Sequence, residues 1–227
     1  MNERYPLTYD VEYPDRPLNR LSTFFRIFAA IPIAIVLGTV AHATFGGWGD
    51  RETTYIAAGG LLFAAPLLMI LFRKKYPRWW FDWNRELLRF GARVHTYIVL
   101  MNDQYPSTDE QQWVRLEVEY PNAETDLARG MPLIKWLLAI PHYIVLFFLG
   151  IGAFFAVIFA WFAILFTGRY PRGLFDFVVG VQRWFLRVVA YAHILVTDKY
   201  PPFSLEDDTA PTATPPTETG PTTPTTE

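Results

Sequence analysis

A nearly unbroken apolar stretch from Met131 to Thr167 constrains the fold of this chain more than any other feature of its sequence. Only Lys135 and His142 interrupt it. The stretch is about twice as long as the roughly 20 residues that one helix needs to cross a bilayer. A chain of 227 residues cannot cover such a run within a soluble core. The sequence therefore predicts an all-α integral membrane protein.

Two further apolar runs and a pair of glycines predict four transmembrane helices, arranged as two hairpins. The runs cover residues 21–43 and 54–72. Within the long stretch, Gly150 and Gly152 predict a tight turn between short spans at 131–149 and 151–167. A cleaved signal peptide is disfavoured, because a long polar segment precedes the first run and a similar run returns later in the chain.

Basic residues near the span ends predict the orientation. Arg20 precedes the first span, Lys74 and Lys75 follow the second, and the loop 44–53 between them contains only Arg51 as a basic residue. Since cytoplasmic loops of membrane proteins are enriched in Lys and Arg, both termini of this multi-pass chain are expected in the cytoplasm.

Short strings recur in the same order in the two halves of the chain. They include VEYP at 11–14 and 118–121, AIP at 30–32 and 139–141, and YPR at 76–78 and 170–172. An ordered match over a whole unit predicts an internal duplication, with repeat units at 1–110 and 111–206. Because each unit has two spans, the pseudo-symmetry axis is expected to be parallel to the membrane normal. Residues 207–227 form an acidic tail rich in Thr and Pro, which is expected to be disordered.

Each unit also contains a predicted strand and a predicted amphipathic helix. Residues 6–13 and 112–120 are expected to form short cytoplasmic β-strands that pair with each other. Residues 78–101 and 173–196 place apolar side chains at three- and four-residue steps, opposite polar ones. That period predicts two helices lying in the membrane interface.

Arginines on the polar faces of these helices are candidate contacts for lipid headgroups. The helices either pack only on the chain's own spans or also contact anionic lipids, and the sequence leaves both alternatives open. In the second case the contacts are expected at Arg89, Arg93, Arg183 and Arg187.

The candidate intramembrane polar positions are Arg26, Lys135 and His142. A charge inside a span is a functional hypothesis by default. Arg26 and Lys135, however, lie only about one to one and a half turns inside their spans, which favours side chains that snorkel to the cytoplasmic interface. For His142, a structural or hydrogen-bonded role is favoured over a ligating one.

No pattern typical of a catalytic, metal or cofactor site occurs in the sequence. The chain has no cysteine, and its histidines do not occur at ligand spacing. A net charge of -2 argues against a nucleic-acid partner. The expected partners are the lipid bilayer, including anionic lipids, and a membrane protein or a second copy of the chain.

The duplicated pattern resembles a bacterial membrane family known as domain of unknown function 4389. The resemblance is carried by the VEYP starts and by the strings AIPHYIVL, FTGRYPRGLFDF and RWFLRVVAYAHILVTDKYPPFSL. It covers roughly residues 5–206 and is sharpest from 131 to 205. It implies a bacterial inner-membrane protein but no mechanism. The first unit departs from the pattern, because Ile33 stands where the second has His142.

The sequence as a whole favours a non-enzymatic accessory or scaffolding membrane protein that acts through lipid and partner contacts. The alternative is a small transporter or lipid-handling protein, with a pathway between the two pseudo-symmetric halves. A membrane enzyme is the third and least favoured hypothesis.

Overall fold

The structure, a computed structural model, describes residues 4–45, 66–108, 110 and 112–207. This part of the chain is mostly helical and contains one small sheet. The strands are β1, Leu7–Val11, and β2, Val114–Val118. The helices are α1, Arg20–Phe24; α2, Arg26–Phe45; α3, Arg78–Ile98; α4, Met131–Leu138; α5, Ile140–Thr167; and α6, Arg172–Ala192. A π-helical segment, Met69–Arg73, lies before α3.

β1 and β2 pair in antiparallel register, with Tyr9 opposite Leu116. Alternation sorts the side chains of the sheet by polarity. Leu7, Tyr9 and Val11 are buried on the inner face with their partners on β2. Asp10, Arg115 and Glu117 are exposed on the outer face. The predicted strands and their pairing are confirmed, and one face of the sheet is charged.

The helices form two further layers beneath the sheet. α3 contacts β2 and α6 contacts β1, while α2 packs on α3 and α5 packs on α6. α5 and α6 are antiparallel, because His142 near the start of α5 meets Trp184 in the second half of α6. Further along α5, Gly152 faces the ring of Phe177, closer to the start of α6. The order of layers is therefore sheet, amphipathic helices, apolar helices.

The predicted turn at Gly150 and Gly152 is wrong, because α5 runs without interruption from Ile140 to Thr167. The spans 131–149 and 151–167 are thus not a hairpin. The loss of helix propensity at a glycine, about 1 kcal/mol, is small enough for packing to offset. A Cβ at Gly152 would lie 3.4 Å from the Phe177 ring, so this glycine serves close packing. The break falls instead at Ala139, ahead of Pro141, whose ring nitrogen has no N–H to donate.

Met131–Thr167, formed by α4 and α5, is the one helical stretch in the described residues that is long and apolar enough to cross a membrane. Only 11% of its most apolar window is buried, whereas the core helix of a soluble protein is mostly buried. By length and composition alone, one such stretch is weak evidence of membrane association. In the first predicted span, 21–43, the shorter apolar helix covers Arg26–Gly38.

Several predictions fall partly outside the described residues. They concern positions 46–53 of the predicted outer loop, positions 54–65 of the second span, and the tail from 208 onward. The two amphipathic helices, predicted at 78–101 and 173–196, are present as α3 and α6. Each is followed by a leucine in the left-handed region, Leu100 with φ 69° and Leu195 with φ 59°.

Candidate functional site

A cavity of about 800 Å³ separates the α2–α3 pair from the α5–α6 pair. Its walls are largely apolar, with side chains from all four helices, among them Ile27, Ile98, Phe154, Val157, Val181 and Phe185. The polar side chains that line it are Thr23, Arg26, His95 and Gln182. A space of this size and chemistry suits an apolar chain with few polar groups.

Arg26, at the start of α2, is fixed inside the protein at one end of this cavity. Its Nη1 donates to the carbonyls of Tyr97, at 3.1 Å, and Asn102. Its Nη2 forms an ion pair with Asp103. The guanidinium carbon also lies 4.2 Å from the centroid of the Tyr97 ring, a cation–π distance. These contacts satisfy a charge that burial would otherwise destabilise.

Lys135, in α4, is held by the same kinds of group. Its Nζ donates to the carbonyl of Thr197 at 2.7 Å and lies 2.7 Å from Asp198 Oδ1. The ring of Tyr191 is 5.2 Å away. Each cation is therefore in contact with a carboxylate, a backbone carbonyl and the face of a tyrosine ring. All three groups come from the end of an amphipathic helix and the loop after it.

The predicted snorkelling of Arg26 and Lys135 is wrong. Arg26 is 2% exposed and Lys135 is 0% exposed, so neither ammonium nor guanidinium reaches water. Each cation is instead paired with a carboxylate inside the protein, and each carboxylate also accepts a backbone N–H. Asp103 Oδ2 accepts from Asn19 at 2.7 Å, and Asp198 Oδ2 accepts from Ala128 at 2.6 Å. Each aspartate thus joins the loop after an amphipathic helix to the segment before an apolar helix.

His142 is fully buried and hydrogen-bonded, which agrees with the structural role predicted for it. Its Nδ1 accepts from Trp184 Nε1 at 3.0 Å, so the unprotonated nitrogen of the ring is Nδ1. The Phe203 ring stacks on it at 4.1 Å. In the first half of the chain, Ile33 packs instead with Phe90 and Val94. Of the two matching positions, Ile33 and His142, only the second holds a histidine enclosed by aromatic rings.

His95 lines the cavity from the side of α3. Burial lowers its pKa to about 4, so the ring is neutral near pH 7. Burial also lowers the pKa of His193, which follows α6. Neither histidine is a cation under ordinary conditions, and His95 adds a neutral polar group to the cavity wall.

The arginines predicted to bind lipid headgroups bind the protein's own backbone. Arg183 Nε donates to the Tyr9 carbonyl at 2.8 Å, and its Nη1 donates to the Leu205 carbonyl at 2.8 Å. Arg187 donates to the carbonyls of Ser204 and Glu206. These contacts fix the segment after α6 against β1 and α6.

The expectation of headgroup contacts is therefore corrected for the buried arginines Arg93, Arg183 and Arg187, of which Arg187 is 1% exposed. Arg93 Nη2 donates to the Thr108 carbonyl at 2.9 Å. Arg89 is partly exposed and pairs with Glu86 and Glu117. For Arg89 the lipid contact stays a prediction. Sequence periodicity marked these side chains as polar, but it did not show that the sheet covers them.

In the part of the chain that the structure describes, no group of three or more His, Asp or Glu side chains is arranged to hold a metal ion. The buried cations Arg26 and Lys135 are each paired with an adjacent carboxylate, and these two pairs fix helices and loops to one another.

Residues 131–204 match the family model described as domain of unknown function (DUF4389). Neither a curated protein nor a solved structure gives a significant match. The matched residues include α4, α5 and α6, the Lys135–Asp198 pair and the enclosed His142. The match assigns residues 131–204, and not the chain as a whole, to the DUF4389 family.

Proposed function

We propose that this chain is a non-enzymatic accessory protein of the bacterial inner membrane, which acts through its contacts with lipids and a partner protein. Both termini and the charged face of the sheet lie in the cytoplasm in this proposal. Its two halves derive from an internal duplication. The crossings predicted at 21–43 and 54–72 stay predictions.

The exposed side of α5 carries the proposal. Six large side chains form one stripe at helical spacing, here called the apolar face: Ile144, Phe148, Phe155, Phe159, Phe162 and Phe166. The least exposed of the six, Phe162, is still 49% exposed. No Asp, Glu, Lys or Arg occurs between Lys135 and Arg169. Soluble proteins rarely expose an apolar patch of this extent unless it contacts a membrane or another protein.

Equivalent ion pairs support the duplication. Arg26–Asp103 and Lys135–Asp198 join the same two kinds of segment in each half. Leu100 and Leu195 give the backbone the same left-handed turn ahead of each aspartate. A bulky residue rarely adopts that conformation, so its recurrence at matching positions is best explained by common descent of the halves.

Membrane extraction tests the proposal. The chain is produced in a bacterial host, and its membranes are washed with alkaline carbonate, which removes peripheral proteins. We expect the unchanged protein to stay in the membrane fraction. The variant Phe148→Lys/Phe155→Lys places two charges on the apolar face and should be extracted to a greater extent, because charge at this depth is costly.

The control is Glu12→Lys/Glu119→Lys, which places two lysines at exposed positions just after the two strands. This control should remain with the membranes. Extraction of the unchanged protein, or equal retention of both variants, would contradict the proposal.

A second candidate function, handling of a lipid or a similar apolar molecule, is favoured by the cavity between the helix pairs. Its mostly apolar wall suits an acyl chain better than a hydrated ion. The test is the amount of lipid that co-purifies in mild detergent. Ala153→Trp fills the cavity and should lower it, whereas Phe147→Trp on the exposed side should not. Equal lipid content in both variants would exclude this function.

A further inference from the structure

We propose that α5 lies along the plane of the membrane, with its apolar face in one leaflet, and does not cross the bilayer. This inference rests on the membrane association proposed above. It assigns the occupant of the apolar face as the hydrocarbon of one leaflet. The charged face of the sheet then points to water on the opposite side of the protein.

The first reason is where α5 ends. The Leu18 N–H donates to the Gly168 carbonyl at 2.7 Å, and Trp161 Nε1 donates to the Thr23 carbonyl at 3.3 Å. The end of α5 is therefore fixed against the beginning of α1.

This contact matters because α1 and α4 both follow strands of one sheet. Suppose that the apolar helices started at the sheet and crossed the bilayer. The first residues of α1 and α4 would then lie on the same side of the membrane, and the end of α5 would lie on the other side. The end of α5 instead returns to the level at which α1 begins. A helix that runs along the membrane surface meets this condition, whereas a helix that crosses does not.

The second reason is the antiparallel packing of α6 along α5. α6 follows α5 back to the neighbourhood of His142 through the contacts of Phe177 and Trp184. On another side, α6 contacts β1, where Arg183 donates to the Tyr9 carbonyl. Whatever depth α5 covers, α6 therefore covers as well, and the sheet lies against α6 at Arg183.

A crossing α5 would consequently bring the sheet to the depth of the hydrocarbon. Asp10 and Glu117 have side chains that are 61% and 63% exposed. Among the described residues the sheet has two strands, so the outer edge of each strand has no strand partner there. Exposed charges and open sheet edges do not occur in contact with lipid tails. With α5 in the plane of the membrane, both remain in water.

The third reason is the charge at the two ends of the apolar face. Arg169 and Arg172 are exposed just after α5, and the Arg20 side chain lies beside Gly168. Near the other end, Arg129 is exposed just before α4. Lys74 Nζ donates to the carbonyl of Glu124, which brings the basic segment 73–75 to this end as well. Cations at both ends of an apolar stripe match the headgroup layer around a helix that lies in one leaflet.

Spin-label depth measurements in lipid vesicles test the inference. The chain has no native cysteine, so Ile144→Cys, Phe155→Cys and Phe166→Cys each give one labelled site. These positions lie on one stripe of α5 and span about 33 Å along the helix axis. Depth is read from the collision rates of the label with oxygen, which enriches in lipid, and with a water-soluble nickel complex. Glu12→Cys, an exposed position just after β1, provides the reference values for a label in water.

We expect the same depth at all three positions, with collision ratios that differ far less among them than each differs from Glu12→Cys. A maximum at Phe155→Cys with shallow values at both ends would overturn the in-plane arrangement and leave the membrane association intact. Water-like values at all three positions would contradict both. Low collision rates with both reagents would mean that a protein surface, and not lipid, covers the apolar face, which would also overturn the inference.

Discussion

Lys135 Nζ lies 2.7 Å from Asp198 Oδ1, and the other carboxylate oxygen of Asp198 accepts the N–H of Ala128. One aspartate therefore neutralises a buried cation and fixes the backbone in front of the helix that carries it. Asp103 does the same for Arg26 and Asn19 in the first half of the chain. These two ion pairs connect the apolar helices to the amphipathic ones.

The substitution Asp198→Asn should destabilise the protein, because it leaves the ammonium of Lys135 buried without its counter-charge. Removing one partner of a buried ion pair lowers the free energy of unfolding by about 3 kcal/mol. The double variant Lys135→Met/Asp198→Asn removes both charges and should recover part of that loss. Unfolding in detergent micelles measures the unchanged protein and the two variants, and a double variant no more stable than Asp198→Asn would contradict the role of the pair.

A glycine in α6 tests the contact between that helix and the segment after it. A Cβ at Gly180 would lie 2.8 Å from Leu205 Cβ and 3.0 Å from its carbonyl oxygen, so Gly180→Ala must displace this segment. Overpacking of this kind lowers the free energy of unfolding by about 1–3 kcal/mol.

The matched control is Gly173→Ala in the same helix, where a Cβ meets no atom within 4 Å. This variant should be neutral or more stable by up to about 1 kcal/mol, because alanine favours helix. The measurement is the free energy of unfolding of Gly180→Ala and Gly173→Ala, each taken from its unfolding curve. Equal stability would mean that the segment after α6 is not packed against Gly180.

Protonation of His95 should destabilise the protein below neutral pH. Burial lowers the pKa of this histidine from its ordinary value of 6.5 to about 4 in the folded chain. Between those values the unfolded chain binds the proton and the folded chain does not, so stability falls as the pH falls. The loss is at most about 1.4 kcal/mol per pH unit.

His95→Gln removes this contribution and leaves the rest of the chain to titrate as before. The measurement is the difference in unfolding free energy between pH 7 and pH 5, for the unchanged protein and for the variant. A smaller difference is expected in His95→Gln. The same difference in both would show that His95 does not titrate as its burial requires.

The hydrogen bond between Trp184 Nε1 and His142 Nδ1 should couple these residues energetically. Trp184→Phe leaves the buried nitrogen of His142 without a donor, at a cost of about 1–3 kcal/mol. The double variant His142→Ile/Trp184→Phe reproduces the Ile33–Phe90 pair of the first half. A double-mutant cycle should give a coupling of about 0.5–3 kcal/mol. Strict additivity would mean that the bond does not stabilise the fold.

The parts of the fold that depend on local pattern could be predicted from sequence. Alternation of apolar and polar residues identified β2, the matching position of segment 6–13 indicated β1, and the three- and four-residue steps identified α3 and α6. The turn at Gly150 and Gly152 could not be judged in this way. A glycine favours a turn but also permits close helix packing, and only the Phe177 ring distinguishes the two cases.

The partners of the buried charges depend on tertiary contacts, and periodicity does not report them. Arg183 and Arg187 were correctly recognised as polar positions, but the sheet and the segment 204–206 cover them. One signal for the ion pairs was present in the sequence. Asp103 and Asp198 occupy matching positions in the two halves, as Arg26 and Lys135 do. An acid and a base that both recur in this way indicate an ion pair in each half.

Lipid contact through the apolar face of α5 is the central claim, and photolabelling from within the bilayer tests it most directly. The protein is reconstituted with a lipid whose acyl chain carries a photoactivatable carbene precursor, and the labelled residues are mapped by mass spectrometry. The account predicts label along α5, at Ile144, Phe148, Phe155 and Phe166, and none on the outer face of the sheet. Label at Asp10 or Glu117, or an unlabelled α5, would contradict it.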